Sequence, residues 1–483
     1  MIAAIYKKLT AALLVAATVL CVPCVFADEI NPETMTGITS PVSDTASENV
    51  QSDSVTAVPQ DIKYYDSKTF AEFASVEFPG IEAAFAYVIN LETGSVMYEK
   101  NSKVLLFPAS TVKLMTAIVA YENIPDLETV IYASEAAVKR STGTKIHSSR
   151  PIKAGEGFTA RELFYALLVT GANDAANVLA EHVAGSEEEF CKMMNQKAKE
   201  LGANDTVFAN PTGLHDEKMV TTAYDMALIA RYAYYINDIV KISGATNYTI
   251  EATNKTKERR YLYNRNRLIR RVEGESDYFY KGTLGMSAGF TPEGGNCVVA
   301  VAERGGLTYL AVVMNSPATD TENFSYLDTK ALLDACFDNF SVQKVASSGM
   351  MMCEIPVELA ANVDHVTLYA KDDISALLPI NVDTEKDITL KRLVYEDACA
   401  PVSEGQRFGD LVVTYKGTIT LGKTDLVANT SVDRSNFLYV LSLLTAFFTG
   451  RWFITAVISA VVLFLLYCFI YYKALRRRRG YRR

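Results

Sequence analysis

The sequence predicts an α+β fold for one large domain, followed by a small all-β domain and a C-terminal transmembrane helix. Three observations carry this expectation. Residues 64–348 mix helical apolar periodicity with short strand-like runs. Residues 352–429 hold strand-like runs and no strong helical pattern. Residues 453–472 contain no charge and lead directly into a basic block.

The N-terminal segment reads as a secretory signal over residues 1–27. Lys7 and Lys8 form a basic n-region, residues 9–22 are apolar, and Val25-Phe26-Ala27 supplies small residues at the cleavage positions −3 and −1. Residues 28–61 are rich in Ser, Thr, Asp, Glu and Pro and poor in aromatics, the composition of a disordered linker.

The large domain is expected over residues 62–348. Residues 83–91 and 95–98 form a hairpin around Glu92-Thr93-Gly94, and Pro108-Ala109-Ser110 opens a helix that runs through Glu122. Thr159-Ala160-Arg161-Glu162 is a capping box, so a helix starts there and Gly171 interrupts it. Asn173 or Asp174 then caps the next helix, which ends before Gly185. Residues 297–302 and 307–314 are buried-looking strands joined by Glu303-Arg304-Gly305-Gly306.

The small β domain spans 349–430, with strand-like runs at 354–359, 365–370, 388–394, 411–415 and 418–421. Residues 437–450 are apolar but interrupted by Gly450, which reads as an interfacial segment. The twenty residues 453–472 can cross a ~30 Å hydrocarbon core as a helix. The tail 473–483 carries Lys473, Arg476, Arg477, Arg478, Arg479, Arg482 and Arg483, so the positive-inside rule keeps it cytoplasmic and puts the domains outside the cell membrane.

The net charge of −9 is asymmetric. Setting aside the seven tail charges and the two signal lysines leaves −18 on residues 28–472. So acidic an ectodomain argues against nucleic-acid binding. Beyond the signal lie Cys191, Cys297, Cys336, Cys353, Cys399 and Cys468, whose spacing matches no zinc motif. Cys336 and Cys353 are candidates for a bridge; buried free thiols are the alternative. No metal or cofactor is expected.

Ser110-Thr111-Val112-Lys113 is the segment with chemistry in it. Three residues apart on a helix, the hydroxyl and the amine share one face. The helix N-terminus favours developing negative charge at Ser110, and a desolvated neutral lysine can take the serine's proton. S-x-x-K alone is a weak signal, because Ser341-Val342-Gln343-Lys344 repeats it, there with no helix to hold the pair together.

The wider run Phe107-Pro108-Ala109-Ser110-Thr111-Val112-Lys113-Leu114-Met115-Thr116-Ala117 resembles the active-site segment of the serine-type D-Ala-D-Ala carboxypeptidases, the low-molecular-mass penicillin-binding proteins. The resemblance extends over most of residues 80–340. It includes Leu91-Glu92-Thr93-Gly94, Asn173-Asp174-Ala175-Ala176, Asn210-Pro211-Thr212-Gly213-Leu214-His215-Asp216, Thr222-Ala223-Tyr224-Asp225 and Asn264-Arg265-Asn266. It implies a penicillin-binding/β-lactamase-like catalytic domain with a helical cluster and an antiparallel sheet. It also implies a peptidoglycan stem peptide ending in D-Ala-D-Ala as substrate and β-lactams as covalent ligands.

The family works through S-x-x-K, S-x-N and K-T-G, and two of these positions differ here. S-x-N falls on Gly171-Ala172-Asn173, which keeps the asparagine and lacks the relay hydroxyl. Thr170, one residue earlier, is either a stand-in or an ordinary helix-end residue. K-T-G falls on Ser287-Ala288-Gly289, without the lysine charge or threonine hydroxyl.

The resemblance assigns catalytic roles to Ser110, Lys113 and Asn173. It assigns substrate binding to Ser287, Gly289, Phe290 and Arg265, with the backbone N–H groups of Ser110 and Phe290 forming an oxyanion hole. One oxyanion donor contributes ~10²–10³ in rate, and substitution cannot delete a backbone donor. Arg265, Arg267 or Arg304 could supply charge in place of the lysine; Arg304 reads as surface. His215-Asp216 reads as a loop hydrogen-bonding pair, and Arg259-Arg260 with Arg270-Arg271 as a solvated rim.

The implied function is an acyl-transfer carboxypeptidase working through Ser110. The altered motifs keep two alternatives open: a catalytically impaired family member acting as a cell-wall binding or regulatory module, and a serine acyl-transferase on a substrate without a free carboxylate.

Overall fold

The computed structural model describes residues 76–480, apart from Glu275, Glu396 and Asp397. The expected signal peptide (1–27) and linker (28–61) lie outside the described residues.

The large domain is built on a five-stranded antiparallel sheet: β1 (Phe85–Asn90), β2 (Val96–Lys100), β3 (Thr283–Thr291), β4 (Gly295–Arg304) and β5 (Leu307–Ser316), in the order β2-β1-β5-β4-β3. Side chains alternate between its faces. Tyr87, Ile89, Val299, Val301, Leu310 and Val312 face the helical core. Ala86, Val88, Val298, Ala300, Tyr309 and Val313 enter a second core on the other face. Both faces are covered, which is why β4 and β5 read as continuous apolar runs rather than alternating ones.

The helical core surrounds α1 (Lys113–Asn123), in which every residue from Lys113 to Ala120 is buried. Burial of this kind contributes ~1.5–3 kcal/mol per large apolar side chain. Around α1 pack α2 (Ala160–Val169), α3 (Asn173–Ala184), α4 (Glu187–Glu200) and α5 (Ala223–Tyr234). The capping box of α2 is present: Thr159 Oγ1 accepts from the Glu162 N–H at 3.2 Å, and Glu162 Oε2 accepts from the Thr159 N–H at 2.9 Å. The start of α3 differs from expectation. Ala172 is its N-cap, without a side-chain cap, and Asn173 is its first residue. Asp174 is drawn sideways instead, accepting from the N–H groups of Ile146 at 2.8 Å and Ile152 at 3.3 Å.

Helix α6 (Phe324–Asn339) covers the second face of the sheet and leads into the β unit. That unit has a six-stranded sheet ordered 388–394, 407–415, 419–428, 365–370, 351–358, 398–399. Beside it, Phe340–Ala346 pairs antiparallel with Ile374–Pro379, two strands the sequence did not reveal. Ser341 and Lys344 lie on the first of these, and Lys344 is spent on Asp373 at 2.7 Å. Cys336 and Cys353 are both free, Cys336 in the core, so no bridge joins them. Two helices follow, Asn436–Thr449 and Arg451–Gly480. Within the latter, the 24 residues Arg451–Ala474 form a helix long and apolar enough to cross a membrane.

Candidate active site

The turn that carries Ser110 is short and strained. Ala109–Val112 is a 3₁₀ turn running directly into α1, so residues three apart stack in register. Ala109 has φ +48°, a conformation costly for a residue with a Cβ. It is held from below by the loop at 210–214. There Asn210 Oδ1 accepts from the N–H groups of Thr212 (3.1 Å) and Gly213 (2.9 Å) and from Thr212 Oγ1 (2.8 Å). Gly213, at φ +78°, lies so close that a Cβ there would sit 2.1 Å from the Ala109 carbonyl oxygen.

Lys113 lies beneath Ser110, 2% exposed, with Nζ donating to Ser110 Oγ at 3.1 Å and to the Thr212 carbonyl oxygen. Burial, and after it the positive charge of Arg265, push its pKa down to about 7. A lysine in this state is about half neutral near pH 7 and so available as a base. Thr212 was part of the recognised Asn-Pro-Thr-Gly run, but nothing in that run says its carbonyl holds the base. Only the loop geometry shows it.

Strand β3 forms one wall. A Cβ on Gly289 would lie 2.3 Å from Ser110 Cβ, so the strand backbone runs against the nucleophile where only glycine fits. Ser287, two residues earlier, is buried and its hydroxyl donates weakly to the Ser110 carbonyl oxygen at 3.5 Å. The cleft in front of Ser110 measures 880 Å³ and is lined by Thr144, Gly171, Arg265, Gly289 and Phe290, among others. Arg265 is exposed and donates to Thr144 Oγ1 at 2.9 Å.

Asn173 is not among the residues that line the cleft. Its Nδ2 donates to the Thr142 carbonyl oxygen at 2.8 Å, and its Oδ1 is buried with no hydrogen-bond partner. Gly171 takes φ +65°, with open space where a Cβ would be. Thr170 does not stand in for the relay hydroxyl, because its Oγ1 donates back to the Ala166 carbonyl oxygen at 2.6 Å.

The neighbouring candidates resolve differently. Arg304 is held by Asp334 (2.9 Å) and Asp338 (3.0 Å), outside the cleft lining. His215 packs its ring edge-on against Phe107, and Asp216 caps its own turn at the Lys218 N–H (2.8 Å), as a structural loop requires. Arg260 overturns the expected solvated rim: it is fully buried and ion-paired with the equally buried Glu156 at 2.8 Å. Arg259 remains exposed, paired with Glu251. The adjacent arginines misled because charge alone does not show that Arg260 points inward along β-paired backbone (260–263 against 247–250).

Comparisons with known proteins establish the family. The D-alanyl-D-alanine carboxypeptidase family matches residues 72–318, and the C-terminal domain of penicillin-binding protein 5 matches residues 340–434. The chain belongs to the D-alanyl-D-alanine carboxypeptidase family. It is a serine hydrolase by that membership. It is 30% identical over 391 residues to D-alanyl-D-alanine carboxypeptidase DacF of Bacillus subtilis, covering 80% of this chain and 94% of that one. The crystal structure of the carboxypeptidase DacD from Francisella tularensis superposes with a TM-score of 0.57 at 25% identity, covering 74% of this chain and 96% of that one. Penicillin-binding protein 5 from Haemophilus influenzae shares the fold, with a TM-score of 0.56 at 23% identity over 74% and 100% of the two chains.

Proposed function

We propose that this carboxypeptidase removes the terminal D-alanine from peptidoglycan stem peptides through an acyl-enzyme on Ser110. The observation that carries the proposal is the buried Lys113, 3.1 Å from Ser110 Oγ and with a pKa of about 7. Neutral Lys113 takes the Ser110 proton as Oγ attacks the carbonyl joining the two D-alanines. Backbone N–H groups of Ser110 and Phe290 receive the oxyanion; the close packing of Gly289 on Ser110 supports this pairing. The C–N bond breaks, the leaving amine takes a proton, and water then hydrolyses the ester.

Arg265, which lines the cleft together with Arg267, is the cationic group we assign to the substrate carboxylate, since position 287 is a serine. β-Lactams acylate Ser110 by the same route. The helix Arg451–Gly480 anchors the chain in the cell membrane, with the cleft on the extracytoplasmic face and residues 437–450 at the interface. The domain limits follow: signal 1–27, linker 28–61, catalytic domain 62–348, β domain 349–430, span 453–472 and cytoplasmic tail 473–483.

The test is a labelling gel with a fluorescent penicillin, run with release of D-alanine from a pentapeptide. A labelled band and D-alanine release are expected from the wild type, and neither from Ser110→Ala. Absence of any Ser110-dependent band refutes the assignment. The mass of the labelled chain, shorter by residues 1–27, checks the signal assignment.

A further inference from the structure

Behind the nucleophile lies a second, much smaller space. It has a volume of about 10 Å³ and is bounded by Ser110, Lys113, Gly171, Asn266, Ser287 and Ala288, together with the 167–169 helix end and Asn264-Arg265. It therefore sits between the two positions at which this chain departs from the motifs of its family, Gly171 and Ser287. The volume is about that needed by the centre of one water molecule, and such a space holds water when two to four polar groups face it.

Two of the polar groups bounding it, Lys113 and Asn266, are short of acceptors. A protonated Lys113 carries three N–H donors. Two find Ser110 Oγ and the Thr212 carbonyl, and the third has no protein acceptor. Asn266 is 4% exposed and spends its Oδ1 on the Leu268 N–H at 3.0 Å, while its Nδ2 is buried without a partner. Leaving a buried donor unmade is costly. Neither neighbouring hydroxyl accepts from these donors: the hydrogen bonds of Thr170 Oγ1 and Ser287 Oγ run to the Ala166 and Ser110 carbonyl oxygens, and residue 171 has no side chain.

We propose that one water molecule bound in this space, accepting from Lys113 Nζ and Asn266 Nδ2, serves as the proton relay that a serine hydroxyl provides elsewhere in the family. A water accepts two hydrogen bonds and donates two, which matches two unpaired donors behind it and a reacting nitrogen in front. As the C–N bond breaks, the water gives a proton to the leaving amine nitrogen and receives one from the Lys113 ammonium. The water is regenerated and Lys113 returns to the neutral amine. Asn266 is then a positioning residue, acting through the water.

The inference rests on the acyl-transfer reading above, so its test has one arm independent of turnover. A high-resolution crystal structure of the wild-type ectodomain attached to its β unit is expected to show an ordered water within hydrogen-bond distance of both Lys113 Nζ and Asn266 Nδ2. A site with no ordered water overturns the proposal, whatever the enzyme's activity. In the kinetic arm, Ser287→Val fills the space with apolar volume and is expected to slow acylation by about 10²-fold. Adding Gly171→Ser to that variant returns a hydroxyl to the open space at residue 171, against the strain a side chain meets at φ +65°, and is expected to recover about tenfold of the loss. Acylation in mixtures of H₂O and D₂O is expected to give a curved proton inventory for the wild type, from two protons in flight. An unchanged rate in a folded Ser287→Val enzyme, or a linear inventory, overturns the relay. A wild type that fails to acylate in a Ser110-dependent way refutes the carboxypeptidase reading instead, and leaves the crystallographic arm to judge the water.

Discussion

Gly289→Ala tests the contact between β3 and the turn that carries Ser110. The added Cβ would lie 2.3 Å from Ser110 Cβ and 3.1 Å from both Cα and N of Ser110. Carbon atoms pack at about 3.5–4.0 Å, so β3 and the nucleophile turn must separate by more than about 1 Å. Gly289 is not in the left-handed region, so the alanine brings no backbone penalty of its own and the effect reports displacement alone. A misplacement of about 1 Å costs ~10² in rate, equivalent to ~2.7 kcal/mol in the barrier. Overpacking of a folded core costs ~1–3 kcal/mol, so the variant is expected to fold with a lowered Tm. The assay is the rate of Ser110 acylation by a fluorescent penicillin, read beside a thermal melt. Acylation within about twofold of wild type would refute the claim that the strand backbone positions the nucleophile.

The Lys113 pKa of about 7 sets a pH profile. The neutral base is the active form, so acylation is expected to rise with pH through about 7 and level off above it; a profile flat from pH 5 to 9 contradicts the lysine as base. Arg265→Gln removes the lesser of the two causes that lower this pKa, so the midpoint is expected to move to higher pH, in stopped-flow acylation, together with a raised KM for a peptide with a free carboxylate. Glu156→Gln leaves Arg260 buried without its counter-charge and is expected to lower unfolding stability by about 3–5 kcal/mol in urea denaturation. A loss under about 1 kcal/mol would mean that the pair is not buried in solution. A chain ending at Ser435 is expected to partition into the aqueous phase in detergent phase separation, and the full chain into the detergent phase; equal partitioning contradicts the anchor role of the C-terminal helix.

Much of this site was legible because the chemistry is local in sequence. Ser110 and Lys113 lie three apart on one turn, the capping box announces α2, and an uncharged run beside a basic tail announces a helix long and apolar enough to cross a membrane. The strands Phe340–Ala346 and Ile374–Pro379 stayed hidden because their pairing crosses thirty residues, and neither carries a clear period-two pattern. Arg260 was misread because a buried ion pair depends on Glu156, a hundred residues away in the chain.

By itself, then, the sequence determined the family, the pairing of Ser110 with Lys113 on one turn, and a C-terminal run long and apolar enough to cross a membrane, all of which are written in contiguous residues. The tertiary structure decided the rest. It brought the Thr212 carbonyl under Lys113, pressed Gly289 against Ser110, turned Thr170 back into its helix, and enclosed a small polar space between Gly171 and Ser287. These facts concern distances and burial between segments up to about 180 residues apart. Residue identity cannot state them, because a lysine's basicity and a glycine's necessity depend on what the fold packs against them.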